Sequence, residues 1–168
     1  KLGMMVRTRI EAINNIPTNK YAESLPNDYF LFREQNLTSR ESLYPSEYLV
    51  KGTWFDSTND IIECSVEERF ARRLKLDIGD TISFSFFGIP LTITVTSIRH
   101  VEWGTFEPNF FLLVEPPALD LLPQSWVGSI YTNSDQETES VQIKLATNFP
   151  NITIINIKET STKILNFL

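Results

Sequence analysis

The chain contains one cysteine, Cys64, and one histidine, His100. A lone cysteine cannot close an internal disulfide, so the fold must be held by its own core, and no redox compartment is indicated. One Cys and one His also fall short of the three good ligands a zinc-type site needs. Cys64 as a nucleophile would need a base within hydrogen-bond reach, and nothing in the spacing brings His100 to it. No G-x-S-x-G, P-loop, dinucleotide fingerprint or H-E-x-x-H occurs, so neither cofactor nor metal nor catalytic residue is expected. No run reaches the ~18–20 apolar residues that span a bilayer; the densest, Phe110–Val114, is the size of a strand. A basic start followed by an apolar signal core is missing too. Lys1 reads as an internal residue, so the chain is expected to be a fragment whose targeting segments lie elsewhere. Positive charge is scarce, with 15 Lys+Arg against 21 Asp+Glu and a net charge of −6. That balance supplies no footprint for nucleic acid. The densest basic run, Arg69, Arg72, Arg73 and Lys75, interleaves with Glu67 and Glu68 and reads as a solvated helix face.

What is present suits a packed domain. The 168 residues are 42% hydrophobic, enough for a real core, and the 12% aromatic share favours β-structure. Val6, Thr8, Ile10 and Ala12 alternate with Arg7, Arg9 and Glu11, which predicts a strand with one wet face, ended by Asn14-Asn15-Ile16-Pro17. Residues 18–28 read as loop. Extended stretches are predicted at 30–34 and 48–54. A helix is predicted over 65–75, with Ser65 and Glu68 forming a capping box and Val66, Phe70, Ala71 and Leu74 an apolar stripe. Gly79 in Leu76–Asp80 permits a tight turn. The strongest β-signal is a hairpin: Ile82, Phe84 and Phe86, then a turn at Gly88-Ile89-Pro90, then Leu91, Ile93 and Val95. Further strands are predicted at 110–114, 126–131 and 152–157, a helical turn at 118–122, and helices at 134–149 and from Thr160 onward. The first of these two helices is favoured by Asp135, Glu137 and Glu139 at its front.

Glu63, Glu67 and Glu68 are close in sequence, but 67 and 68 point to different parts of a helix, so capping explains them better than paired acid–base chemistry. His100 reads as a strand-end histidine. Asn36-Leu37-Thr38 and Asn151-Ile152-Thr153 match the glycosylation pattern, a three-residue match frequent by chance.

Four stretches, in order, resemble the extracytoplasmic domain of FtsX-like ABC transporter permeases with a MacB-type periplasmic core, in particular large permeases carrying two such domains. They are Val6–Asn14; Arg33–Arg40 with Leu49–Trp54; Ser65-Val66-Glu67 through Leu76–Thr81 to Val95–Trp103 and Pro108–Phe111; and Phe149–Asn156. The chain departs from the family pattern where Thr8-Arg9 follows Arg7 in place of Arg-Gly-Arg, and where His100 stands for a usual Lys. The resemblance implies an α+β fold in the periplasm between transmembrane helices of an inner-membrane permease. The domain would be non-catalytic and coupled to a separate cytoplasmic ABC ATPase subunit. It implies a porter-like, membrane-proximal subdomain of residues 1–29 and 132–168, and an inserted, mainly β subdomain of residues 30–131 with one clear helix. The alternative is an extracytoplasmic ligand-, lipid- or peptide-binding β-domain, with Trp103, Phe106, Phe110 and Phe111 lining a surface for a periplasmic protein, lipid or lipoprotein. An apolar groove with Trp103 and Phe106 exposed would favour binding, and a dry core under a polar exterior would favour a mechanical module.

Overall fold

The computed structural model describes residues 1–26, 29–56, 58, 60–86 and 88–157. They form a mixed sheet with several helices, 36% strand and 24% helix, which is the α+β class expected. The chain divides into two compact units, Lys1–Ser129 and Ile130–Leu168.

The first unit begins with an interrupted strand, β1 (Leu2–Thr8) and β2 (Ile10–Ile13), with the predicted alternation: Val6, Thr8 and Ile10 are buried, Arg7, Arg9 and Glu11 exposed. Asn14 and Asn15 both take positive φ, the requirement of a tight two-residue hairpin turn, and the chain returns as β3 (Ile16–Pro17). Residues 18–24, read as loop, form the short helix α1 (Thr18–Tyr21) and a 3₁₀ turn at Ala22–Ser24. Of the stretch at 30–34, read as a strand, residues 30–32 lie instead in helix α2 (Tyr29–Phe32), and Arg33 and Glu34 link it to the strand that follows, β4 (Gln35–Ser39). Aromatic content favoured a strand there, but Leu31 is buried in a single helical turn. Then come β5 (Glu47–Gly52), β6 (Glu63–Glu67) and helix α3 (Glu68–Leu74).

The capping box does not form. Ser65 is buried inside β6, which has β8 (Ile89–Val101) on one side and β9 (Leu112–Val114) on the other. Two ladders satisfy more backbone groups than one cap, so the sheet keeps these residues, and α3 starts later. Glu67 caps it, its Oε2 accepting from the Phe70 N–H at 2.8 Å. The stripe is as read: Phe70, Ala71 and Leu74 are buried on α3, and Val66 is buried at the strand that leads into it. Strand β7 (Thr81–Phe86) and β8 form the predicted hairpin, with Ile82, Phe84, Ile93 and Val95 buried. Ile89 and Pro90, expected in the turn, already pair with Phe86 and Ser85. Pro90 lies beyond the reach of β6, which first meets β8 at Thr94, so its missing N–H costs no ladder bond there. β10 (Ser125–Gly128) is shorter than the 126–131 reading, and residues 118–122 form turns.

Strand order is β10-β1-β4-β9-β6-β8-β7-β2-β3, with β5 pairing the far half of β8. β4–β9 and β6–β8 are parallel and the remaining ladders antiparallel. Only Arg9 separates β1 from β2, yet they lie near opposite ends of this path, so the sheet must curl until it closes on the interrupted strand. Val6, Ile10, Leu37, Val66, Ile82, Ile93 and Leu112 are buried in the resulting core. Burying each such side chain contributes roughly 1.5–3 kcal/mol.

In the second unit, α4 (Asp135–Asn148) matches the predicted helix. Ser134 caps it, its Oγ accepting from the Glu137 N–H at 3.1 Å, and Asp135 and Glu137 sit in the first turn. Thr138, Val141, Gln142 and Leu145 form its half-buried face. The β-branched run 152–157 is not a strand: it joins no ladder among the described residues, and extended backbone becomes a strand only through a partner. The helix predicted from Thr160 lies outside the described residues.

Candidate functional site

Cys64 lies in β6 opposite Val95 of β8 and Val114 of β9, fully buried. Burial pushes its thiol up to about 12, against the smaller opposing effect of Arg99. His100 is five residues past Val95 along β8, about 16 Å at ~3.3 Å per residue. Its Nδ1 lies 2.7 Å from Glu68 Oε1, and its ring stacks on Tyr48 at 4.8 Å. Thiol and imidazole therefore serve separate places and do not make a nucleophile–base pair.

The three glutamates are equally separate. Glu63 accepts from the Asp56 N–H, Glu67 caps α3, and Glu68 holds His100. The basic run is a solvated face, as read: Arg69, Arg72, Arg73 and Lys75 are exposed, and Arg72 stands 4.0 Å from Glu68 one turn away. Asn36 of the first glycosylation match is half-buried in β4, paired with Arg7 in the ladder, whereas Asn151 is exposed. Among the described residues no three His, Cys, Asp or Glu are grouped to hold a metal ion.

What the sequence reading missed is a charged network inside the first unit. Arg99 of β8 is wholly buried. Its Nε donates to Glu47 Oε1 at 3.1 Å, its Nη1 to the Ser65 carbonyl and its Nη2 to the Phe110 carbonyl. Desolvation draws the Arg99 guanidinium below its usual range, and the Glu47 carboxylate opposes that shift. Glu47, at the start of β5, also accepts from Arg40 and from the Tyr44 N–H at 2.8 Å. Arg40 rides over the Tyr44 ring at 3.9 Å and reaches Asn109 Oδ1 at 3.3 Å. One guanidinium thus ties three segments together: β6, the start of β5, and the loop 102–111. Arg99 continues the inward period-two face of Ile93, Val95 and Ser97 along β8, while the partners that hold its charge come from other segments.

That loop carries the aromatics singled out in sequence. Glu102 accepts from the Gly104 N–H and caps the 3₁₀ turn Trp103–Thr105. Trp103 and Phe106 are exposed, Phe110 and Phe111 half-buried. Phe111 stacks on Phe70 at 5.0 Å and meets Trp103 at 5.4 Å, so those two are brought together, with Phe111 as the root of the cluster. Two clefts, of about 380 and 400 Å³, are lined not by these aromatics but largely by polar residues such as Arg7, Arg9 and Glu34, or Asp60, Glu63 and Thr94.

No family model matches the chain. It is 32% identical over 153 residues to the uncharacterised ABC transporter permease YbbP of Escherichia coli strain K12, across 91% of the chain and 18% of that protein. The chain is thus homologous to a segment of an ABC transporter permease and spans less than a fifth of its length. A solved structure of a domain assigned to a permease protein of Porphyromonas gingivalis aligns with 88% of the chain and 69% of its own, at a TM-score of 0.38 and 11% identity.

Proposed function

We propose that the chain is a non-catalytic domain of an FtsX-like ABC transporter permease with a MacB-type core. In this reading it lies on the periplasmic side of a bacterial inner membrane and transmits motion or docks while a separate cytoplasmic ATPase drives transport. The observation that carries the reading is the 32% identity with a permease along 91% of the chain. The separation of Cys64 from His100 supports a role through contacts, because it leaves the thiol without the base that nucleophilic chemistry needs. Among the described residues no helix is long and apolar enough to cross a membrane, so in this reading the spans belong to other parts of the permease.

Residues 1–29 and 132–168 would form the membrane-proximal part and 30–131 the insertion. Since β1 pairs with both β4 and β10, and β2 with β7, motion between these parts must strain or part those three ladders. Coupling requires two arrangements that the rest of the transporter can bias.

Sidedness is tested in a full-length permease whose other cysteines have been replaced. Cys64 is buried with a raised thiol and stays silent, while Arg72→Cys on the exposed face of α3 reports. Labelling of intact spheroplasts by a membrane-impermeant maleimide is expected; labelling only after lysis would overturn the periplasmic assignment. Mechanical coupling is tested with an Arg7→Cys/Asn36→Cys disulfide across the β1–β4 ladder. ATP hydrolysis by the reconstituted permease–ATPase complex should fall and return on reduction. Unchanged hydrolysis would leave docking as the better reading.

A further inference from the structure

Aromatic rings on the first unit touch in a continuous row. Tyr29 meets Phe30 at 5.5 Å, Phe30 meets Phe111 at 6.0 Å, and Phe111 meets Trp103 at 5.4 Å. The stack of Phe111 on buried Phe70 fixes this row to the core. Arg33 and Arg73 lie over the Phe30 ring, 4.9 and 4.1 Å from its centre. Tyr29 is 63% exposed, Phe32 48%, Trp103 37% and Phe106 55%. A protein of net charge −6 therefore shows solvent an aromatic surface set with arginines.

We infer that this surface docks onto a bilayer carrying anionic phospholipid headgroups. Tyrosine and tryptophan rings have an apolar body and a polar edge, which suits the headgroup level of a membrane. Arginine held over such rings can bring its donors to phosphate oxygens, while an acidic protein is otherwise repelled by an anionic bilayer. The shape disfavours a peptide. The surface is built from α2, α3 and the loop 102–111, so it offers no strand edge for an added strand, and its aromatics line neither of the two clefts described above. Its position fits as well. β1 and β10 run side by side, with Leu2 opposite Gly128, so the unit is entered and left at one end. The Lys1 side chain at that end pairs with Glu107, in the same loop as Trp103 and Phe106, and engages that loop's acidic charge. The inference rests on the permease reading and refines it: connections from this end lead to membrane-embedded parts, and the loop 102–111 of the 30–131 insertion reaches that membrane-proximal end beside Lys1.

The test is flotation of the chain with vesicles of equal parts phosphatidylglycerol and phosphatidylcholine, against vesicles of phosphatidylcholine alone. Binding to the anionic vesicles that weakens with salt is expected. Arg33→Ala and Arg73→Ala should each lower partitioning about fivefold. Trp103→Ala with Phe106→Ala should remove the salt-resistant remainder, and Trp126→Ala on β10 should change nothing. All these side chains are exposed, and unchanged melting will show that the variants fold. Absence of vesicle binding, or binding that survives the Arg33, Arg73, Trp103 and Phe106 replacements, would overturn the inference. So would binding of a soluble acidic, aromatic-rich peptide by the same residues without vesicle binding, which would assign the surface to a protein partner. The assay needs neither transport nor ATPase, so its failure leaves the permease reading standing, and failure of the spheroplast labelling leaves the vesicle result readable.

Discussion

Arg99 and Glu47 meet at 3.1 Å in the interior of the first unit, with neither side chain exposed to solvent. The pair exchanges the hydration of two charges for hydrogen bonds inside the protein, and removing one member strands the other. Glu47→Ala should cost about 3–5 kcal/mol, because it leaves the Arg99 charge buried with only two carbonyls. Replacing both by apolar residues, Arg99→Met with Glu47→Leu, should cost less than the sum of the singles. Urea unfolding of the two singles and the double would check this; strict additivity would mean the charges do not act as a pair.

The face assigned to α3 makes a second prediction. Phe70 is buried and stacked on Phe111, whereas Arg72 points to solvent beside Glu68. Phe70→Ala should lose ~3–5 kcal/mol, and Arg72→Ala should be near neutral. Equal shifts of the melting midpoint would contradict this orientation.

Cys64 gives a pH dependence. Its thiol is raised from 9.0 to about 12 by burial, so between those values the folded state keeps a proton that the unfolded chain releases. Stability from this group is complete below pH 9 and is lost as pH rises toward 12. Cys64→Ala should flatten the decline in stability across that alkaline window, measured by urea midpoints. At neutral pH the native thiol should react with maleimide only as fast as the unit opens.

Two glycines of similar φ should behave differently. Gly52 (φ 80°) ends β5, and a Cβ there would run into the Thr96 carbonyl oxygen of β8. Gly88 (φ 85°), in the β7–β8 hairpin, has open space around it. Gly52→Ala should destabilise by several kcal/mol, well beyond Gly88→Ala at ~1–2 kcal/mol, where only the backbone strain applies. Thermal melts of the two variants decide it.

Where one residue's neighbours in sequence are also its neighbours in space, the sequence was readable. The β7–β8 hairpin, the alternation along β1 and β2, the α3 stripe and the capped α4 are all local patterns of period two or 3.6. Legibility failed where distant partners decided. Ser65 looks like a cap until β8 and β9 flank it, and 152–157 looks like a strand though nothing among the described residues pairs with it. In the candidate site, Trp103 and Phe106 were visible as unusual aromatics. Arg99 was passed over although the alternation from Ile93 and Val95 runs through it; what no local pattern shows is Glu47 and Phe110, the partners from other segments that hold its charge.

The interrupted strand also sets a timetable. On a ribosome, β1 emerges long before β10, and at ~5–20 residues per second that gap is on the order of ten seconds. Until then Leu2, Met4 and Met5 belong to a strand with an open edge, the condition that invites pairing with another chain. Arg7 and Arg9 lie just beyond that apolar run, pointing to solvent, and charges so placed act as gatekeepers against aggregation. The same two arginines that look ornamental on the finished sheet thus protect a nascent chain that must wait for its last partner to be made.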